Sequence, residues 1–157
     1  MSIELPQRNR ETDGRMRVLV VDDDAEMRAL LAEVLSDEGY AVAEAPNGAQ
    51  ALIRLRREAF AAIVLDKNMP GLSGLDLLPG LRTICPETPV ILITASGDVS
   101  TYMEAIEQGA FEYIFKPFRT EELLRVLQKG LSSDSRPAPF PAAADSLAVN
   151  PMGEFRL

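Results

Sequence analysis

The sequence lacks the residues on which several common chemistries depend. Its 157 residues include no histidine, and Cys85 is the only cysteine. The absence of histidine excludes imidazole-dependent catalysis, most zinc sites and any phosphohistidine role. A single cysteine cannot form an internal disulfide, which favours a reducing compartment.

Positive charge and long apolar runs are also scarce. The chain has 16 Lys and Arg residues against 24 Asp and Glu residues, which gives a net charge of -8. Because proteins that bind nucleic acid usually present a basic stripe to the phosphates, we expect no direct nucleic-acid binding. No run approaches the roughly 20 apolar residues of a membrane span, and the N-terminus does not resemble a signal peptide. We therefore expect a cytoplasmic protein with no membrane contact.

Short apolar runs alternate with helix-period segments from Arg17 onward. Five such units fit the chain, and this pattern predicts an α/β fold with a mostly parallel five-stranded sheet and five helices. We expect one domain over residues 16–131. Residues 1–15 are expected to form a flexible leader, and residues 132–157, which are rich in Pro, Ala and Ser, a disordered tail or linker.

Capping residues mark where the predicted helices begin. Asp24, Asn47 and Ser73 are suitable N-caps of the first three helices, and the last helix should begin near Thr120. The third helix contains Pro79, which removes a backbone hydrogen bond at a cost of roughly 3 kcal/mol in a helix interior. A kinked or shortened third helix is therefore expected.

Polar side chains follow four of the predicted strands. The apolar residues 18–21 precede Asp22, Asp23 and Asp24, residues 61–65 precede Asp66, residues 90–93 precede Thr94, and residues 113–115 precede Lys116. Ligands of an open parallel sheet bind at the carboxyl ends of its strands. We expect these side chains to converge there.

Asp22, Asp23 and Asp66 are expected to converge, and their carboxylates would repel one another. At a separation of about 5 Å and an effective dielectric near 20, each pair costs on the order of 3 kcal/mol. A Mg²⁺ ion bound by Asp22, Asp23, Asp66 and a backbone carbonyl would remove that cost. With Lys116 and Thr94 opposite, the site would suit a phosphoryl group, which Asp66 can accept as an acyl phosphate without a general base.

At these motifs the chain resembles the receiver domain of bacterial two-component response regulators. The resemblance covers about residues 17–131 and rests on four motifs: Val-Leu-Val-Val-Asp-Asp-Asp from residue 18, Ile-Val-Leu-Asp-Lys-Asn-Met-Pro-Gly-Leu-Ser-Gly from residue 63, Ile-Leu-Ile-Thr-Ala from residue 91, and Tyr-Ile-Phe-Lys-Pro-Phe from residue 113. It implies a doubly wound, flavodoxin-like sheet with strand order 2-1-3-4-5.

The resemblance also implies a role for each site residue. Asp66 would be the phosphoacceptor, and Asp22, Asp23, Asp66 and the backbone carbonyl of Asn68 would hold Mg²⁺. Thr94 and Lys116 would bind the phosphoryl oxygens. The conformational switch would couple Thr94 to Tyr113, whose side chain would change rotamer.

The implied partners are proteins. A sensor histidine kinase or a histidine phosphotransfer protein would donate the phosphoryl group, and an unknown protein target would bind the face formed by the fourth helix, fifth strand and fifth helix, which includes Tyr102, Phe111 and Tyr113. A homodimer that forms on phosphorylation is also compatible with the resemblance. The domain would be a signalling switch that assists its own phosphorylation and dephosphorylation, not a turnover enzyme.

Two other kinds of function remain as alternatives. The first is a receiver-like scaffold or interaction module that acts without phosphorylation, although such a module has little need of the complete acidic and basic set. The second is an enzyme of the flavodoxin or aspartate-phosphatase kind. Three aspartates in the loop after the first strand disfavour a flavin phosphate, and Asn68 stands where such a phosphatase usually carries a second aspartate.

Overall fold

The computed structural model describes residues 10–95 and 99–132. These residues form a six-stranded sheet with helices packed on both faces. The elements in chain order are β1 (Glu11–Thr12), β2 (Arg15–Val21), α1 (Ala25–Asp37), β3 (Ala41–Ala45), α2 (Gly48–Arg57), β4 (Ala62–Asp66), α3 (Gly74–Ile84), β5 (Val90–Thr94), α4 (Val99–Glu107), β6 (Glu112–Phe115) and α5 (Thr120–Leu131).

Five of the strands form a parallel sheet in the order β3-β2-β4-β5-β6. These are the five strands that the sequence predicts, and their order confirms the expected 2-1-3-4-5 arrangement. β2 lies at the point where the order reverses, with β3 on one side and β4 on the other. In such sheets a crevice for ligands opens at that point, outside the carboxyl ends of the strands.

The sixth strand, β1, pairs antiparallel with the start of β2. The turn between them contains Asp13 with φ 53° and Gly14 with φ 75°, both in the left-handed region that two-residue hairpins require. The Arg17 amide also donates to the Arg10 carbonyl at 2.8 Å. The predicted flexible leader therefore does not extend over residues 11–15, whereas residues 1–9 and residues 133–157 of the expected tail lie outside the described residues.

The core has two layers, because successive side chains of a strand point to opposite faces of the sheet. Leu19 and Val21 of β2 pack with α2, α3 and α4, whereas Val18 and Val20 pack with α1 and α5. β4 and β5 are buried along their whole length. The rigid sheet thus sets the positions of the residues at the strand ends.

The helix starts agree with the predicted caps. The side chains of Asp24, Asn47 and Ser73 each accept a hydrogen bond from the first turn, and Ser73 forms a reciprocal capping box with Asp76. α3 continues through Pro79 for 11 residues, so the helix is not shortened there. No helix among the described residues is long and apolar enough to cross a membrane.

Candidate functional site

Three carboxylates meet at the carboxyl end of the sheet. Asp66 is the last residue of β4, and Asp22 and Asp23 follow β2 directly. One oxygen from each of the three carboxylates lies within 4.8 Å of the others. Asp22 and Asp66 are only 2% and 5% exposed, whereas Asp23 is open to solvent. The structure therefore brings together the acidic group that the sequence predicts.

The Asp22 carboxylate is electrostatically disfavoured in this position. Burial raises its pKa to about 6, and repulsion from the Asp66 carboxylate also raises it. The Asp24 backbone N–H, which donates to Asp22 at 2.9 Å, has the opposite effect and lowers the pKa. A hard divalent cation prefers such oxygen ligands and would stabilise both charges. The donor set and its unfavourable charge fit Mg²⁺.

Arg28 fixes the loop that carries Asp22. Its guanidinium donates to the Asp22 backbone carbonyl at 2.8 Å and to the Glu44 carboxylate at 3.1 Å, so one side chain joins α1, β3 and the acidic loop. This role of Arg28 was not predicted from the sequence, because an arginine one turn into an amphipathic helix is usually only solvated.

The loop after Asp66 is held at both ends. The Asn68 backbone amide donates to Asp66 Oδ1 at 3.0 Å, and the Gly74 backbone amide donates to the Lys67 carbonyl at 3.0 Å. Between them, Met69 is buried in the core at 6% exposure. A Cβ atom on Gly74 would lie 2.8 Å from the Asp66 carbonyl oxygen, so only glycine fits at this close approach. Gly74 is the last residue of the motif that begins at residue 63, but its role was not predicted from the sequence.

Lys116 and Thr94 lie beside the acidic group, as predicted. The Lys116 ammonium is 4.0 Å from Asp66 Oδ1, and the peptide bond to Pro117 is cis. Thr94 is fully buried, and its hydroxyl donates to the side-chain oxygen of Asn68 at 2.8 Å. The structure therefore gathers acids, an ammonium and a hydroxyl around one notch.

Tyr113 is buried, at 5% exposure, between two other aromatic rings. The Tyr102 ring centroid is 5.7 Å away and the Phe115 centroid 5.2 Å, both in edge-on geometry. In the sheet register Tyr113 pairs with Leu92 and Phe115 with Thr94, so Tyr113 lies one step from Thr94 on the same face. This arrangement is compatible with the predicted coupling of the two residues.

The face of α4, β6 and α5, which was predicted to bind a protein target, exposes other residues than those predicted. Tyr113 is buried and Phe111 is partly buried against the core, so neither offers a large exposed surface. The large exposed apolar side chains on α4 and β6 are Tyr102, Met103, Ile106 and Phe115. The sequence did not indicate which apolar residues of α4 face solvent.

Comparison with known proteins decides the family. The profile described as response regulator receiver domain matches residues 18–128 of the chain. The chain belongs to the response regulator receiver domain family. Response regulator protein FleR of Pseudomonas aeruginosa is 40% identical over 113 residues, which cover 72% of this chain and 24% of FleR. DNA-binding response regulator MtrA of Mycolicibacterium paratuberculosis is 37% identical over 132 residues, which cover 83% of this chain and 58% of MtrA.

Solved structures agree with the receiver fold. The structure of chemotaxis protein CheY4 of Vibrio cholerae has a TM-score of 0.70 and 32% identity, and covers 73% of this chain and 98% of that protein's chain. This receiver domain therefore corresponds to nearly all of CheY4, but only to about a quarter of FleR and somewhat more than half of MtrA. Such a domain is a signalling domain.

Proposed function

We propose that this receiver domain accepts a phosphoryl group on Asp66 from a phosphohistidine, with Mg²⁺ bound, and thereby changes its affinity for a protein target. The observation that supports this most strongly is the convergence of three carboxylates within 4.8 Å of one another, with the Lys116 ammonium 4.0 Å from Asp66. A buried acid beside an ammonium and two further acids is the arrangement that phosphoryl transfer to a carboxylate requires.

The chemistry needs no base from the protein. The Asp66 carboxylate is the nucleophile, and its Oδ1 accepts a hydrogen bond from the Asn68 backbone amide and lies near Lys116. A bond forms between an Asp66 carboxylate oxygen and phosphorus while the phosphorus–nitrogen bond of the phosphohistidine breaks, and its electron pair stays on the imidazole nitrogen. Bound Mg²⁺ would neutralise charge on the carboxylates and the phosphoryl oxygens.

The remaining stabilisation comes from the chain's own groups. The Lys116 ammonium and the Thr94 hydroxyl would donate to phosphoryl oxygens as negative charge accumulates on them. Asp22, Asp23 and Asp66, with the Asn68 carbonyl, would hold the metal. The domain would thus assist both formation and hydrolysis of its own acyl phosphate without turning over a substrate.

The partners follow from the same chemistry. A sensor histidine kinase or a histidine phosphotransfer protein in the cytoplasm would supply the phosphoryl group, and the face of α4, β6 and α5 would bind the protein target. MtrA is a DNA-binding response regulator, but this chain covers 58% of it. The absence of direct nucleic-acid binding therefore stays a prediction, based on the net charge of -8.

Phosphorylation by a small donor tests the proposal directly. Incubation with acetyl phosphate and Mg²⁺ should add one phosphoryl group, detected by intact-protein mass spectrometry, and chelation of Mg²⁺ should prevent it. Asp66→Asn should abolish the addition, because the amide is not a nucleophile of this kind. Asp37→Asn, at an exposed aspartate at the far end of α1, serves as the matched control and should react as the wild type does. A folded wild-type protein that gains no phosphoryl group at saturating donor and metal would refute the proposal.

A further inference from the structure

The side-chain oxygen of Asn68 accepts a hydrogen bond from Thr94, the residue proposed to contact the phosphoryl group. The Thr94 hydroxyl donates to Asn68 Oδ1 at 2.8 Å, and the Ala95 amide donates to the same oxygen at 3.2 Å. The Asn68 amide group therefore restrains both the last residue of β5 and the first residue after it. Neither bond belongs to a helix or to the sheet.

The position of this acceptor is set by the loop that carries the proposed phosphoacceptor. The Asn68 backbone amide donates to Asp66 Oδ1 at 3.0 Å, and the next residue, Met69, is buried in the core. Asn68 itself is exposed at the mouth of the site, whereas Thr94 is fully buried. A buried hydroxyl thus donates to a side chain whose backbone is anchored to Asp66.

The two roles of the Thr94 hydroxyl compete. A hydroxyl has one hydrogen to donate, so it cannot donate to Asn68 and to a phosphoryl oxygen at the same time. Movement of Thr94 toward a phosphoryl group on Asp66 therefore breaks its bond to Asn68. Since the Ala95 amide shares that acceptor, the same movement loosens the start of the segment between β5 and α4.

We propose that Asn68 is a positioning residue that holds Thr94 and Ala95 in the unphosphorylated arrangement through its side-chain oxygen. This inference rests on the proposed function, because it gives the bond meaning only if Asp66 carries a phosphoryl group in the active state. It assigns to the Asn68 side chain a task separate from that of its backbone carbonyl. Removing the side-chain oxygen should favour the arrangement in which Thr94 contacts the phosphoryl group.

The loss of the Asn68 side-chain oxygen should change the affinity of the domain for a phosphoryl analogue. Beryllofluoride binding at saturating Mg²⁺, followed by isothermal titration calorimetry, should be at least roughly two- to tenfold tighter for Asn68→Ala than for the wild type, because the competing state loses the neutral hydrogen bond from Thr94 as well as the one from Ala95. The affinity of each variant for Mg²⁺ alone is measured first, so that every titration is made with the metal site filled.

A double-mutant cycle with Thr94→Val tests whether Asn68 acts through the hydroxyl. Valine has nearly the shape of threonine but cannot donate, so the effect of Asn68→Ala should be clearly smaller in the Thr94→Val background, where only the bond from the Ala95 amide remains to be lost. An equal effect in both backgrounds, or weaker binding by Asn68→Ala, would overturn the inference. Absence of any binding to the wild type would instead overturn the proposed function, and the inference with it.

Amide exchange in the unphosphorylated protein is a second measurement, and a role of Asn68 that does not involve Ala95 would leave it unchanged. The Ala95 amide should exchange with solvent faster in Asn68→Ala, measured by NMR, and Asn68→Asp should restore its protection because a side-chain oxygen remains at the same place. The Arg17 amide, which donates to the Arg10 carbonyl near the start of β2 and away from the site, is the internal control. Unchanged exchange at Ala95 in Asn68→Ala would show that the side chain restrains nothing there.

Discussion

At the scale of single residues, the buried Asp22 carboxylate favours metal binding and disfavours the metal-free fold. Its pKa is raised from 3.8 to about 6, so the folded protein holds a proton that the unfolded chain has already released between those pH values. Stability without metal should therefore fall as pH rises through this window and stay low above it. Magnesium should reverse the loss at pH 7.

Asp22→Asn should make the metal-free protein more stable at pH 7, by about 1–3 kcal/mol, because the amide keeps an oxygen acceptor for Asp24 and carries no charge. Urea unfolding followed by circular dichroism measures the difference, which should shrink as the pH falls well below the unfolded pKa of 3.8, where Asp22 becomes neutral in both states. Magnesium should stabilise the wild type and have little effect on the variant. Glu33→Gln, at an exposed position in the middle of α1, is the control, and an equal gain there would show that the effect is only one of net charge.

The site residues at the ends of strands could be predicted from the sequence. The residues whose roles depend on contacts between distant segments could not. Asp22, Asp66, Thr94 and Lys116 each follow an apolar run, and parallel strands bring their ends together. Arg28 could not be found in this way, because its partners depend on how α1 sits over β3. The side chain of Asn68 was missed for the same reason, since its donors lie 26 and 27 residues further along the chain.

At the scale of elements, the contact between the start of α3 and the end of β4 controls the Asp66 loop. Gly74→Ala would place a Cβ 2.8 Å from the Asp66 carbonyl oxygen and from the Lys67 Cα, both of which are backbone atoms. The helix start must then shift, and we expect a loss of about 1–3 kcal/mol in the free energy of unfolding. Mg²⁺ affinity, measured by calorimetry, should fall as well because the loop moves with the helix.

Gly80→Ala is the matched control in the same helix. Its nearest heavy atom would be Leu52 Cδ2 at 3.9 Å, an ordinary contact, so the added methyl should stabilise the helix by about 0.5–1 kcal/mol. Opposite signs for the two variants in urea unfolding would support the close approach at Gly74. Equal effects would contradict it.

The elements themselves were largely predictable, because capping and periodicity act locally. Ser73 begins α3 as expected, yet Pro79 did not end the helix, since one lost hydrogen bond is outweighed by burial of Leu77, Leu78 and Leu81 on its inner face. The β1 hairpin was missed because its signal is short. Its Asp13-Gly14 turn lies beside only two paired residues on each side.

At the scale of the whole molecule, the strand order brings the distant site residues together. Asp22 and Asp66 come to neighbouring strand ends because β2 lies between β3 and β4, and Lys116 follows β6 two strands away from β4. The alternation of strands and helices predicts such a sheet, and the resemblance implied its order. The apolar surface of α4 and β6 includes Met103 and Phe115, whose exposure depends on how the elements pack and so could not be predicted from either.

A crystal structure of the wild-type chain with Mg²⁺ and beryllofluoride would test the central claim most directly. The account predicts beryllium bonded to an Asp66 carboxylate oxygen and Mg²⁺ bound by Asp22, Asp23, Asp66 and the Asn68 carbonyl. Lys116 and Thr94 should contact the fluorines, with the bond from Thr94 to the Asn68 side chain broken. Beryllofluoride attached to another residue, or Mg²⁺ bound away from the three carboxylates, would contradict it.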